Sequence, residues 1–221
     1  MGEAKLNKKS HHHKSRKSSK SSITTIIVVV CILIVIGFDF FQRNQSSPLL
    51  TFDPQRAKGS AEASVKIIEF ADFQCSECAR GSRVINDYMR RFPTDIHLAM
   101  KYYPLGELNS TISAVYAQCA ARQDKFWAYH DILFEKQSQW RTLLRVKKEL
   151  TAMAQEVSVD VAKLETCVER KDVAATVESE RVLGESNFVR STPTYFINEE
   201  MFVGVGALQQ YLKERFDNQS E

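Results

Sequence analysis

The stretch "FADFQCSECARG", Phe70 to Gly81, places Cys75 and Cys78 directly after an apolar run. The run is rich in β-branched and aromatic residues, which predicts a strand that ends at the cysteines. Apolar side chains then recur at helical spacing as far as residue 92, which predicts a helix that begins at the cysteine pair. Cys75 would therefore lie at a helix N-terminus, where free N–H groups and the helix dipole stabilise a thiolate.

The cysteine pair has three interpretations. A zinc half-site normally needs a second closely spaced pair, and Cys119 and Cys167 lie far apart in predicted helices. A purely structural disulfide across two residues would be strained and readily reduced. A redox-active dithiol fits the strand-to-helix junction best, because Cys78 lies one turn after Cys75 and can reach its sulfur.

The rest of the chain predicts an interrupted α/β domain. The segment "DIHLAMKYY" alternates strictly and predicts a second strand, which completes a βαβ unit. Residues 110–185 contain few breakers and predict four or five helices. The segment "TPTYFINEEMFVGV" then predicts two short strands joined by a turn, and an amphipathic helix closes the chain. The predicted order is βαβ, a helical insertion over about residues 107–187, and ββα.

Three segments, "EFADFQCSEC", "KFWAYHDILF" and "STPTYFIN", together resemble the DsbA-like thioredoxin-fold thiol–disulfide oxidoreductases over residues 64–217. The resemblance implies a thioredoxin fold with a helical insertion, in which Cys75 is the attacking thiol and Cys78 the resolving one. It also implies that Thr192–Pro193 forms a cis-proline loop that faces the dithiol and offers backbone hydrogen bonds to an extended substrate segment. Without the upstream cysteine pair, Thr192–Pro193 would be interpreted as an ordinary proline at the entry to a strand.

The resemblance assigns roles to three further residues. Glu69 matches a buried acid found in many members, where a carboxyl beneath the dithiol could relay protons. The alternative is an edge glutamate in water, and the alternating faces of the strand do not decide its burial. Cys119 and Cys167 match positions that some members join in a second, structural disulfide; the alternative is a pair of buried, reduced cysteines.

Ser76 and Glu77 separate the two cysteines and are expected to tune the redox potential. In the family that the chain resembles, the strongly oxidising members carry Pro-His at these positions. A carboxylate near Cys75 opposes thiolate formation, so we expect a higher pKa for Cys75 than beside a Pro-His pair. The sequence therefore predicts a weaker oxidant than the Pro-His members and leaves the direction of electron flow open.

The N-terminal residues predict a membrane anchor. Residues 1–22 carry seven lysines and arginines and one acid, a net charge of +6, and the following segment Ile23–Phe38 has no charge and no proline. We expect a cytoplasmic tail at residues 1–22, one transmembrane helix at residues 23–41 and a linker at residues 42–63. The catalytic domain would then face the periplasm or another extracytoplasmic, oxidising compartment.

Two alternatives to the anchor fit less well. A cleaved signal peptide should show a small-x-small site after the apolar run, and "GFDFFQRN" offers none. A lipoprotein signal should have a small residue before its cysteine, but Val30 precedes Cys31.

The predicted function is to introduce disulfides into cysteine-containing exported proteins. By analogy with the family, a quinone-linked membrane partner of the DsbB or VKOR type would reoxidise the dithiol. No metal or organic cofactor is expected, and the overall net charge of +3 argues against a nucleic-acid binder. We expect a monomer, because residues 42–63 contain no recognisable dimerisation domain. The alternatives are a disulfide reductase or isomerase of the same fold, and a non-catalytic chaperone or binding module.

Overall fold

The computed structural model of the chain describes residues 25–34, 37, 49 and 51–217. The chain divides into two compact units, residues 1–46 and residues 47–221. In the first unit, residues 25–34 are helical. Across the described residues, no helix combines the length and the apolar character that crossing a membrane requires. The predicted tail at residues 1–22 lies outside the described residues, and the anchor at residues 23–41 stays a prediction.

The second unit contains one mixed sheet of five strands. They are β1 (Ala57–Gly59), β2 (Val65–Ala71), β3 (Ile96–Tyr102), β4 (Thr194–Ile197) and β5 (Glu200–Val203), in the order β1-β3-β2-β4-β5. The central strand β2 runs parallel to β3 and antiparallel to β4. Every residue of β2 except Lys66 is buried, as expected for a strand with both faces covered.

A 3-10 helix, Pro54–Arg56, precedes β1, and the described part of the second unit contains eight α-helices. They are α1 (Ser76–Arg91), α2 (Ser110–Ala121), α3 (Phe126–Glu135), α4 (Gln137–Trp140), α5 (Lys147–Glu156), α6 (Val161–Val168), α7 (Lys171–Ser186) and α8 (Gly204–Leu212), the last followed by a π-helical turn, Lys213–Asp217. Helices α2 to α7 separate β3 from β4, so the predicted α/β order with a helical insertion is confirmed. The insertion has six helices and not four or five, because Lys136 leaves the helical conformation (φ −95°, ψ 15°) and divides α3 from α4.

The predicted linker at residues 42–63 is wrong in its second half. Within it, β1 pairs antiparallel with β3. The preceding Arg56 is buried and makes two hydrogen bonds to the carboxylate of Glu180 on α7, Nη1 to Oε2 at 2.7 Å and Nη2 to Oε1 at 2.6 Å. The folded unit therefore begins before residue 64. A three-residue strand has too few positions to show a period, so the sequence pattern did not reveal it.

The helix α1 contributes to two apolar clusters. Ile85 and Tyr88 pack with residues of β2, β3, β4 and α8 against the sheet. Cys78 and Ala79, at the start of the same helix, pack with residues of the helical insertion. The cysteine pair therefore lies where the sheet, α1 and the helical insertion meet.

Candidate active site

The two cysteines differ in their access to solvent. Cys75 is the N-cap of α1, with an extended backbone (φ −77°, ψ 122°), and Cys78 lies in the first turn. Both are free thiols; Cys75 is half-buried and Cys78 is 0% exposed. Cys75 is therefore the sulfur that an external thiol or disulfide reaches first.

The two thiols also differ in acidity. The Cys78 thiol, the Thr192 side chain and the backbone N–H groups of Cys78 and Glu77 all stabilise a thiolate on Cys75 and lower its pKa to about 6, although burial of the sulfur opposes this. Burial raises the pKa of Cys78 well above its ordinary value, and the neighbouring Cys75 and Glu69 raise it further. At neutral pH the pair thus combines one ionised and one protonated sulfur, which suits an attacking and a resolving thiol.

The loop at Thr192–Pro193 lies against the dithiol. Its peptide bond is cis. The thiol of Cys75 donates a hydrogen bond to the carbonyl oxygen of Thr192 at 3.5 Å, across 117 residues of sequence. The structure thus brings together two of the three segments on which the resemblance depends, "EFADFQCSEC" and "STPTYFIN". The role of this loop in binding substrate stays a prediction.

Glu69 is buried in the central strand beneath the dithiol. It is 0% exposed, so the alternative of an edge glutamate in water is wrong. Burial raises the pKa of its carboxyl to about 8, against the opposing effects of the Lys58 charge and the Tyr195 hydroxyl. A carboxyl that titrates near neutral pH is suited to give and accept a proton.

Lys58, which acts on Glu69, comes from β1 and was not predicted. Its ammonium group donates to Oδ1 of Asn86 at 2.8 Å and lies 4.0 Å from the ring centroid of Trp127. Burial lowers the pKa of Lys58. Because Lys58 lies in the segment assigned to the linker, no sequence pattern predicted its effect on Glu69.

Ser76 and Glu77 are exposed at the start of α1. The carboxylate of Glu77 accepts from Nη2 of Arg80 at 2.6 Å, one turn along the helix. The positive charge of Arg80 offsets the repulsion that this carboxylate would exert on a Cys75 thiolate, while the Glu77 backbone N–H favours the thiolate. The comparison with a Pro-His pair stays a prediction.

A polar network holds the backbone in front of the dithiol. The side-chain amide of Gln137 in α4 donates to the carbonyl oxygens of Phe73 at 2.8 Å and of Cys75 at 2.9 Å. Asp72 accepts from the N–H of Gln74 at 2.8 Å and from the Ser110 hydroxyl at 2.6 Å. Sequence reasoning missed these residues, because Gln and Asp are common on surfaces and only the fold shows that they are buried here.

The remaining cysteine pair is oxidised. Cys119 of α2 and Cys167 of α6 form a disulfide, with 0% and 9% of their surfaces exposed. Because their sulfurs are bonded to each other, they cannot complete a zinc site with Cys75 and Cys78. Among the described residues there is no group of three or more His, Cys, Asp or Glu side chains that could hold a metal ion.

The fold and the site together define a class: a thioredoxin-fold protein with a CxxC dithiol at a helix N-terminus, opposite a cis-proline loop. A family model described as thioredoxin matches residues 51–214, more than half of the chain. The chain therefore belongs to the thioredoxin family.

Solved structures share the fold. The crystal structure of alpha-DsbA1 from Wolbachia pipientis superposes with a TM-score of 0.67 at 17% identity, over 77% of this chain and 92% of that one. BdbD from Bacillus subtilis, in its oxidised form, gives a TM-score of 0.64 at 21% identity, over 75% of this chain and 92% of that one. At these identities the similarity establishes the fold alone.

Curated relatives are of two kinds. A "Probable disulfide bond formation protein D" from Bacillus cereus is 24% identical over 169 residues, which cover 71% of this chain and 76% of that protein. The Na(+)/H(+) antiporter NhaA 3 of Salinispora tropica is 25% identical over 154 residues, or 68% of this chain. The match spans only 23% of the antiporter's length.

Proposed function

We propose that this chain is a DsbA-like thiol–disulfide oxidoreductase that introduces disulfides into exported proteins through Cys75 and Cys78. The observation that carries the proposal is the asymmetry of the dithiol: a half-exposed Cys75 with a pKa of about 6 beside a buried Cys78 whose pKa is raised. The name of the Bacillus cereus relative refers to disulfide bond formation. A structure of similar fold, alpha-DsbA2 from Wolbachia pipientis, is described as a thiol–disulfide exchange protein.

The reaction begins with the dithiol in its oxidised form. A substrate thiolate attacks the sulfur of Cys75, the Cys75–Cys78 bond breaks, and a mixed disulfide forms between substrate and Cys75. Cys78 leaves as a thiolate and takes a proton from the carboxyl of Glu69, which is protonated at neutral pH. A second substrate thiolate then attacks the substrate sulfur of the mixed disulfide and releases Cys75, whose low pKa makes it a good leaving group.

Two electrons pass from the substrate to the dithiol in each cycle, so an oxidant must restore the Cys75–Cys78 bond. We propose a quinone-linked membrane protein of the DsbB or VKOR type for this step. We also propose that residues 23–41 anchor a monomeric enzyme, with residues 1–22 in the cytoplasm and the catalytic domain outside. The Cys119–Cys167 disulfide supports an oxidising compartment, because structural disulfides are rare in reducing ones.

Two assays on the purified full-length chain test the enzyme proposal. We expect the wild type to promote both the refolding of reduced ribonuclease and the reduction of insulin, and Cys75→Ser to reduce both rates to background. A Cys119→Ala/Cys167→Ala variant is the matched control, because it removes the other cysteine pair and should retain both activities. Activity that survives Cys75→Ser would favour the non-catalytic alternative.

The direction of electron flow needs a separate measurement. A carboxylate beside Cys75 disfavours a strong oxidant, so Glu77 would favour the reductase alternative, but its ion pair with Arg80 offsets this effect. A redox titration against glutathione gives the potential, and a value as oxidising as that of Pro-His members would contradict the predicted weak oxidant. Trapping mixed disulfides in cells with Cys78→Ala would identify the substrates, and reduced exported proteins bound to Cys75 are the expected result.

A further inference from the structure

Tyr195 lies beside Glu69, although neither the sequence pattern nor the resemblance gave it a role. It is two residues after Pro193 on β4 and pairs directly with Glu69 of β2 in the antiparallel register. Side chains of directly paired residues lie on the same face of a sheet. Both residues are 0% exposed, so the phenol and the carboxyl are neighbours in the interior.

Gly81 shows where the phenol oxygen lies. A Cβ added at Gly81 would be 2.1 Å from Oη of Tyr195 and 3.4 Å from Cζ of the same ring. The hydroxyl therefore occupies the space that any larger residue at position 81 would need. Gly81 follows Cys78 by three residues on α1, so the two lie on the same face of the helix. The Tyr195 hydroxyl therefore lies against α1 about one turn after the buried thiol of Cys78.

Burying the Glu69 carboxyl and the Tyr195 phenol together lowers the stability of the folded chain, which a purely structural role does not explain. Neither carboxylate oxygen of Glu69 nor the hydroxyl of Tyr195 makes a hydrogen bond of standard geometry within the described residues. Buried polar groups without such partners cost stability. The hydroxyl nevertheless interacts with the carboxyl and favours its ionised form.

The charged and titratable groups around the pair come from several elements. Glu69 interacts with Lys58 of β1 and with Cys75 and Cys78 of α1. Tyr195 interacts with the same two cysteines and with Arg80 of α1, and burial raises the pKa of its phenol far above the ordinary value. The phenol therefore stays protonated at neutral pH and can act only as a hydrogen-bond donor to the carboxylate.

We propose that Tyr195 is a positioning residue for proton transfer between Glu69 and Cys78, and that Gly81 is the residue that admits its hydroxyl. The inference rests on the function proposed above. When a substrate thiolate opens the Cys75–Cys78 bond, the Glu69 carboxyl passes its proton to the departing Cys78 thiolate. The Tyr195 hydroxyl then donates a hydrogen bond to the carboxylate that this transfer creates.

The first test compares the opening of the oxidised dithiol by reduced glutathione in the full chain, followed by stopped flow from pH 5 to 10. In Tyr195→Phe we expect the rate at pH 7 to fall by about 10-fold, because a hydrogen bond to a charged group is lost. The pH midpoint that reports Glu69 should rise, because its ionised form loses a donor. Tyr129→Phe is the matched control: its buried hydroxyl bonds the Leu150 carbonyl in the helical insertion, and its profile should match the wild type.

A double-mutant cycle separates this role from a general packing effect. In a Glu69→Gln background, Tyr195→Phe should cause no further loss of rate and no further change in the pH profile. An equal loss in both backgrounds would overturn the proposal. The proposal would also be overturned if Tyr195→Phe kept the wild-type rate and pH midpoint. In that case the proposed function would still stand, provided that the activity of the wild type depends on Cys75. A wild type without exchange activity would refute the proposed function itself.

The position of the hydroxyl has its own test, which depends on stability and not on activity. Gly81→Ala should lower the melting temperature in the wild type, because its Cβ collides with Oη of Tyr195. In the Tyr195→Phe background most of that loss should disappear, since the nearest ring carbon then lies at an ordinary contact distance. If Gly81→Ala lowered the melting temperature equally with Tyr195 and with Phe at position 195, the placement of the hydroxyl would be contradicted. This comparison does not depend on the activity of any variant.

Discussion

One folded unit of this chain contains two cysteine pairs with opposite properties. Cys75 and Cys78 are free thiols at the start of one helix, and one of them is accessible to solvent. Cys119 and Cys167 join two helices through a disulfide that is almost entirely buried. The first pair has a helix N-terminus, a facing carbonyl and a buried acid around it, whereas the second packs into the apolar cluster of the helical insertion.

The difference shows that the surroundings, and not the cysteines themselves, separate reactivity from stability. Around the dithiol, polar groups are buried at a cost and give Cys75 and Cys78 different acidities. The disulfide stabilises the protein without such polar groups, because the bond restricts the unfolded chain. We therefore expect changes at one pair to affect activity and changes at the other to affect the free energy of unfolding.

Removing the second disulfide should have the largest effect on stability. The bond joins residues 48 positions apart, and closing a loop of that length stabilises a protein by about 4 kcal/mol through the entropy of the unfolded chain. Cys119→Ala/Cys167→Ala should lose about this much in urea unfolding. Exchange activity measured well below its melting temperature should be retained. A loss of activity in the folded variant would show that the two pairs are coupled.

Glu69→Gln should have the opposite effect on stability. The pKa of Glu69 is raised to about 8 in the folded chain, so between pH 4.5 and 8 the unfolded chain gives up this proton while the folded chain retains it. Stability therefore falls as the pH rises through this range. Glu69→Gln removes that loss and should increase the free energy of unfolding by about 3 kcal/mol at pH 7. Identical unfolding curves at pH 5 and pH 8 in the wild type would contradict the raised pKa.

The acidity of Cys75 predicts selective alkylation. With a pKa of about 6, Cys75 should be about 30-fold richer in thiolate at pH 7 than an ordinary cysteine of pKa about 8.5. Iodoacetamide should modify Cys75 with a half-maximal rate near pH 6 and leave Cys78 unmodified. Peptide mass spectrometry distinguishes these sites from the free Cys31. Equal labelling of Cys75 and Cys78 would remove the asymmetry on which the comparison depends.

Glu77→Gln should have the smallest effect. Its carboxylate is exposed and paired with Arg80, and interactions at such sites are screened by water, so we expect the pKa of Cys75 to fall by less than about 1. The thiolate absorbance at 240 nm, followed against pH, measures this change. A larger fall in the pKa of Cys75 would indicate that Glu77 is the main determinant of the redox potential.

Long patterns in the sequence predicted the fold well. The order of strands and helices follows from the β-branched and aromatic run of β2, the alternation in β3 and the helical spacing of α1. The dithiol follows from its position between β2 and α1. The residues that complete the site were harder to find. Lys58 lies in a strand too short to show a period, and the role of Gln137 depends on where the short helix α4 begins. Glu69 is buried partly because β4 pairs with the edge of β2 that β3 leaves free, and only the tertiary structure shows this pairing.

The buried pair of Arg56 and Glu180 has a consequence for where this domain can be cut. A chain that begins at residue 64 would keep Cys75, Cys78 and the proline loop. It would lose Lys58, and the Glu180 carboxylate would lose its guanidinium partner, Arg56. Removing one member of a buried ion pair typically costs about 3–5 kcal/mol. The smallest autonomous domain therefore includes the eight residues from Arg56 to Ala63 that precede the recognisable motif.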